Sequence, residues 1–399
     1  MNIRPIKKKY YSKIPFLFVL LIILQGIISN PLVSIQSASQ GALMWFNVIL
    51  PSLLPFFIIS ELLISLGFID IIGKILSPLM RPIFNTPGEG IFPLSMSMLS
   101  GYPVGSKLTS RLREKNLITQ IEGNRLLCFT STSGPIFMLG AVAIGMLKDS
   151  NLGPLIILPH YISIIILGLV FRFYKYDAVS NKKYFNAKMY YKNINISINQ
   201  WLKTRKSISS LITVSIKESM DTILLIGGIV IFYSVVVEIL FNMGIINQSL
   251  VFLSKLFSAE NELLKGIVVG IFEMTLGCKV IAYSNINILN KIIVINFIIG
   301  WGGLSVHSQA MNFLKRTDLN LKLFTLSKML HGLLSSIISY VLYITMYKDY
   351  VYPATYNYPY ASTTYSLMNW FSILLSASKL ALFSFLFIFI VCAVSFVFS

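Results

Sequence analysis

Long apolar runs separated by short polar or basic segments dominate the chain. Six of them carry few charges: Ile14–Ile35, Gly41–Leu66, Leu152–Tyr174, Ser219–Met243, Leu319–Met346 and Phe371–Phe398. A hydrocarbon core about 30 Å thick needs roughly 20 mostly apolar residues per helical crossing, so each run predicts a membrane span. Two further runs, Thr119–Leu147 and Ile286–Leu314, are long enough but interrupted by Gly, Ser, Thr and Pro. The pattern predicts an all-α polytopic membrane protein with about eight crossings. Some apolar segments remain that fit no simple crossing.

The pattern also repeats. Glu61-Leu-Leu-Ile-Ser-Leu-Gly67-Phe-Ile-Asp70 resembles Glu238-Ile-Leu-Phe-Asn-Met-Gly244-Ile-Ile-Asn247. Val104-Gly105-Ser106-Lys107 resembles Leu276-Gly277-Cys278-Lys279, and Ser133-Gly134-Pro135 falls opposite Gly302-Gly303-Leu304. The matches keep one order, which predicts an internal repeat. Each unit then has a span ending near a Glu and a short amphipathic segment, Ile71–Phe84 or Ile245–Phe257. An apolar stretch broken near its middle follows, Gly90–Leu112 or Leu263–Ser284, then a discontinuous span and a regular one. The broken stretch reads as a re-entrant hairpin. With three true crossings per unit the second copy is flipped, an inverted repeat of the kind found in secondary transporters. The expected organisation is an N-terminal span (1–40), a first repeat (41–174), a basic cytoplasmic loop (175–216), a second repeat (217–347), an external loop (348–370) and a C-terminal span (371–399).

Composition sharpens this picture. Apolar residues make up 55% and charged residues 12% of the chain, and the mean hydropathy is +0.74. A soluble domain of this length needs more charge on its surface. The net charge of +18 invites a nucleic-acid partner, but its distribution argues against one. Basic clusters occur before the first span, between the second and third, between Arg172 and Lys217, and at Lys315, Arg316 and Lys322. With the N-terminus in the cytoplasm they all fall on the cytoplasmic side, while Asp349–Asn369 on the other side is nearly free of basic residues. Contact of the basic loop with anionic membrane lipid is a secondary reading. Cys128, Cys278 and Cys392 are far apart and show neither metal spacing nor a disulfide framework. The N-terminal apolar run before Ser37-Ala38-Ser39 also has features of a cleavable signal, although it is long for one.

Candidate chemistry lies at the interruptions, because non-helical backbone at membrane depth must be covered by protein or line a water-filled cavity. The first half has two: Ser100, Gly101, Tyr102, Pro103, Val104, Gly105, Ser106 and Lys107, and then Thr130, Ser131, Thr132, Ser133, Gly134 and Pro135. The second half has two more. One holds Glu273, Thr275 and Lys279; the other holds Trp301, Gly302, Gly303, Ser305 and His307. Breaks of this kind present backbone N–H groups and half-helix N-termini to a substrate. Alternatively, the small residues serve only close helix packing. Lys107 and Lys279 hold corresponding places and are expected to supply positive potential to an anion. The competing reading pairs Lys279 with Glu273 and lets Lys107 reach the interface. Glu61 and Glu238 read as helix-end acids facing the amphipathic segments rather than ion-coupling groups. His307 is either a titrating group or a hydrogen-bond donor within the bundle. His160 and His331, in regular spans, are expected to pack. No nucleophile–base set, metal pair or phosphate loop is visible, so the sequence supports neither an enzyme nor a cofactor.

These residues also resemble a known family. Trp45–Tyr174, with Pro51-Ser-Leu-Leu-Pro55-Phe, Ser100-Gly-Tyr-Pro-Val-Gly-Ser-Lys107 and Thr130-Ser-Thr-Ser-Gly-Pro135, resembles the sporulation integral membrane family called YlbJ or SpoVV. The second half, with Gly277-Cys-Lys279 and Trp301-Gly-Gly-Leu-Ser-Val-His-Ser-Gln309, fits the same family. The resemblance implies a gate-type nucleoside-recognition scaffold, similar in plan to concentrative nucleoside transporters. It further implies movement of dipicolinic acid, a small organic dianion, from the mother cell across the outer forespore membrane. Two other readings remain open, a nucleoside or other solute carrier and a non-transporting membrane scaffold of sporulation. Oligomeric state is not legible.

Overall fold

The computed structural model describes residues 13–66, 80–175, 207–257 and 260–347, all of them in helices or their connections. The expected C-terminal span Phe371–Phe398, the loop 348–370, and most of Ile71–Phe84 and of the basic loop lie outside the described residues. The described helices up to Thr345 belong to one compact unit; a second begins at Met346.

The first helix, α1 (Lys13–Ser29), is followed by α2 (Pro31–Met44). Proline has no N–H with which to continue a preceding helix and favours the first helical position of the next. The axis accordingly bends by 104° here. The expected crossing Ile14–Ile35 is thus bent at Asn30, either a broken span or a re-entrant loop. A π turn at Trp45–Ile49 joins α2 to α3 (Leu50–Ser65), just ahead of Pro51 and Pro55. Each of these prolines removes one intrahelical hydrogen bond.

Next come α4 (Ile91–Ser100), α5 (Val104–Glu114), α6 (Gln120–Thr130), a π-helical segment (Ile136–Met146) and α7 (Gly153–Phe171). The second half has α8 (Ile208–Asn242), α9 (Ile245–Phe257), α10 (Asn261–Phe272), α11 (Met274–Tyr283), α12 (Ile288–Trp301), α13 (Gly303–Leu314) and α14 (Leu321–Leu342). The expected break positions therefore do separate helices. α6 starts with a capping box in which Thr119 Oγ1 accepts from Glu122 N and Glu122 Oε2 accepts from Thr119 N. Asn287 and Asn320 cap α12 and α14.

The long helices α2–α3 and α8 pack against each other and run in opposite directions. Gly41 lies against Ile231 and Ser234, while Trp45 packs on Gly227 and donates to Ile223 O at 2.9 Å. Only a glycine leaves room for the indole, since a Cβ at 227 would lie 2.6 Å from the Trp45 ring. One core cluster joins α3–α8 through residues such as Phe57, Leu108, Phe129 and Ile226. A second joins Tyr102 and Val142 of the first half to Cys278, Ile298 and Val306 of the second.

Large apolar side chains also face outward. Leu17 and Phe18 on α1, Val170 on α7, Leu224 and Phe232 on α8, and Leu333 and Ile337 on α14 are exposed. Lipid is the solvent that suits such faces. Among the described residues four helical stretches are long and apolar enough to cross a membrane: Ser150–Phe171, Ile208–Asn242, Ile288–Leu314 and Leu321–Thr345. The bent N-terminal pair makes a fifth if it counts as one span.

Candidate functional site

The four interruptions meet. Gly101 (φ +89°) lies against the second break, where a Cβ on it would come 2.7 Å from Gly134 N. Gly303 (φ +76°) lies against the third, with Met274 N 3.0 Å from the place a Cβ would occupy. Tyr102 links the halves, because its hydroxyl donates to Ile299 O at 3.0 Å beside Gly302. Side chains other than glycine strain at positive φ, so these glycines are what lets the four backbones approach.

At the crossing lies Lys328 of α14, only 1% exposed. Its Nζ donates to Tyr102 OH at 2.5 Å, to Ser131 O at 2.8 Å and to His331 Nδ1 at 3.0 Å. An ammonium has three donors, and these three neutral acceptors use them all. His331 Nε2 is 3.1 Å from His160 O, a carbonyl that only accepts, so Nε2 carries the proton and Nδ1 is the acceptor facing Lys328. His160 Nε2 accepts from Ser133 N at 3.0 Å and lies 2.7 Å from Thr132 Oγ1. A neutral His160 therefore carries its proton on Nδ1. The two imidazole rings are 4.2 Å apart. Among the described residues no carboxylate lies within 4.0 Å of Lys328.

The residues expected from the sequence divide between this crossing and other roles. Gly101, Tyr102, Ser131, Thr132, Ser133, Gly302 and Gly303 form it. Gly105 packs on the Thr130 carbonyl, and Thr130 Oγ1 pairs with Thr109 Oγ1 at 3.1 Å. Ser100 and Ser106 donate to carbonyls of their own segments, Met96 O and Pro103 O. His307 Nδ1 bonds Gly303 O at 2.8 Å, and its ring lies 4.2 Å from that of Trp301, whose Nε1 donates to Ile271 O. Ser305 is buried on α13 and Thr275 half-buried on α11.

Several expectations need correction. Lys107 does not reach an interface: its Nζ is 2.9 Å from Glu61 Oε1, with both side chains buried. Glu61 faces Lys107 and, at 3.8 Å, Arg111, while most of the amphipathic segment it was expected to face lies outside the described residues. Glu273 does not pair with Lys279; its carboxylate caps α11 by accepting from Leu276 N at 2.7 Å. Lys279 is exposed and lines a cleft of about 240 Å³ with Glu238, Gln40 and Ser37. Neither Lys107 nor Lys279 is hydrogen-bonded to the Lys328 network.

His160 and His331 are part of that network rather than packing residues. Lys328 was missed, although a lysine near the middle of an apolar span is itself a signal. Arg125, fully buried, has a different use: it donates to Tyr174 O and Asn85 O, carbonyls that follow two helical segments.

Broken helices that cross at a buried cation, inside a bundle with apolar outer faces, define a polytopic membrane protein with a polar centre. Residues 46–157 match the Gate family, described as nucleoside recognition. The chain is 34% identical over 349 residues to the sporulation integral membrane protein YlbJ of Bacillus subtilis (strain 168), covering 86% of this chain and 85% of that one. It belongs to the YlbJ family of sporulation integral membrane proteins. It is also 26% identical over 114 residues to an uncharacterised protein of Alkalihalophilus pseudofirmus, 28% of this chain and 23% of the other. No solved structure matches the chain.

Proposed function

We propose that this membrane sporulation protein is a transporter of a small organic dianion, dipicolinic acid, from the mother cell across the outer forespore membrane. The observation that carries the transport reading is the convergence of four helix breaks on Lys328. Backbone interrupted at membrane depth and a buried cation are both costly, and both are what a solute path through a bilayer requires. The identity of the anion rests on the family resemblance.

In this reading 41–174 and 217–347 are inverted repeats, with eight crossings in the whole chain and hairpins entering from opposite faces. The recurring helix order and the opposed directions of α2–α3 and α8 support it. The Glu61–Lys107 end is then closed and the Glu238–Lys279 end open, and a transport cycle exchanges the two.

The test is uptake of labelled dipicolinate into proteoliposomes containing only this protein, against protein-free vesicles. Saturable uptake supports the proposal; its absence removes it. The match to a family described by nucleoside recognition favours a second reading, a nucleoside carrier. Strong competition by nucleosides, with no effect of dipicolinate on their uptake, would select that reading.

A further inference from the structure

We infer that Lys328, His160 and Ser131 together bind one carboxylate of the transported molecule. The inference rests on the transport reading and adds to it the residues that recognise charge.

Charge is the first argument. Where the chain buries Lys107 it supplies Glu61 at 2.9 Å. Lys328 is buried more deeply, and its three partners are neutral. One of them, Ser131 O, follows the C-terminal end of α6 and contributes only partial negative charge. A cation held this way at membrane depth is under-compensated, and an arriving anion relieves that cost.

Hydrogen-bond polarity is the second argument, and it is independent of the first. His160 is 0% exposed and Ser131 3% exposed. Among the described residues His160 Nδ1, the nitrogen that carries the proton, has no partner, and neither has Ser131 Oγ. Buried polar groups are almost always satisfied, so unmet ones call for an explanation. His160 shares the network with Lys328 through its own carbonyl and His331, and Ser131 shares it through its carbonyl. Once Lys328 Nζ gives up one of its three present acceptors, a cation and two unmet hydrogen-bonding groups, both able to donate, match a carboxylate, which accepts only and has about four lone-pair sites.

The half-helices that begin beside this cluster, at Ile136 and Gly303, have no side-chain cap, so their N-terminal N–H groups favour an anion as well. The burial of all three residues means that ligand reaches them only when the break-bearing segments part.

The experiment measures binding to the purified full chain, and uptake in proteoliposomes, for three probes. These are dipicolinate, the monocarboxylate picolinate, and the uncharged pyridine-2,6-dicarboxamide. The wild type is expected to bind both carboxylates at least about tenfold more tightly than the dicarboxamide. Lys328→Met should weaken the carboxylates by about tenfold or more and leave the dicarboxamide unchanged.

Ser131→Ala guards against a folding defect, because the hydroxyl has no partner among the described residues. It should keep the wild-type melting temperature and weaken dipicolinate roughly fivefold. Wild-type dipicolinate affinity in both variants, with uptake intact, would overturn the inference and leave the transport reading standing. Binding of the three probes without discrimination would overturn it too. Failure of the wild type to move dipicolinate at all would remove the transport reading and this inference with it.

Discussion

The two ends of α8 carry the same residue types and treat them differently. Near Glu218, which is 3.0 Å from Arg111, the Glu61–Lys107 pair is closed and dehydrated. Twenty residues along the helix, about 30 Å away and so one hydrocarbon thickness, Glu238 and Lys279 border a cleft. They make no ion pair within 4.0 Å among the described residues, and Lys279 is exposed. In sequence these are matching Glu and Lys positions. What separates them is access to water, so a charge pair is structural at one end and a lining of open space at the other.

The largest effect should come from the closed pair. Glu61→Gln strands Lys107 in a buried place and is expected to cost about 3–5 kcal/mol. Glu238→Gln should stay within about 0.5 kcal/mol. Thermal unfolding in detergent measures both, and equal losses would break the comparison. Adding Lys107→Met to Glu61→Gln should recover at least about 1 kcal/mol, as expected for residues in contact.

A second, smaller effect should be shared by the two halves. Gly105 and Gly277 precede the matching lysines, and a Cβ on either would collide with backbone, the Thr130 carbonyl or Gly270 respectively. Each Gly→Ala change should cost about 1–3 kcal/mol. Measured in the same assay, a large loss at one glycine and none at the other would show that the halves differ in packing as well as in hydration.

The smallest effect lies at the exposed fringe of the closed end. Arg113 Nε is 2.8 Å from Asp318 Oδ1, and the guanidinium hydrogen bond holds the aspartate below its ordinary range. A carboxylate with a lowered folded-state pKa contributes stability above its unfolded value, near pH 4, and loses it as the pH falls through the folded value. Asp318→Asn should therefore cost about 0.2–1 kcal/mol at neutral pH and nothing in strong acid. The difference in melting temperature between variant and wild type across that range is the measurement.

Much of the fold was legible because its interruptions are chemically distinctive. Gly101, Gly302 and Gly303 occupy positive φ, and Glu273 caps the helix that follows it. Residues suited to such places stand out in an apolar sequence. The Asn30-Pro31 break was equally marked, but a window averaged for hydropathy runs across it. The centre of the site was less legible. Tyr102, Ser131 and Gly302 announced themselves by composition, whereas Lys328, His160 and His331 sit in regular helices. Their partners lie as far as 226 residues away along the chain. The union of Glu61 with Lys107 was invisible for the same reason, since no local pattern records which acid a buried lysine meets.

Helix α8 has one more consequence. Its 35 residues form an uninterrupted rod about 52 Å long, well beyond a hydrocarbon core of about 30 Å. The segment that overhangs the Glu218 end is mixed: Ile208, Ile212, Val214 and Ile216 are exposed there beside Ser209, Ser210, Thr213 and Lys217. The apolar side chains of that overhang make a partial hydrophobic mismatch, relieved by tilting the rod or thickening the lipid around it. Both responses act on the helix against which the open and closed ends are built. A thicker membrane is therefore expected to shelter apolar side chains of α8 that a thinner one leaves in the headgroups.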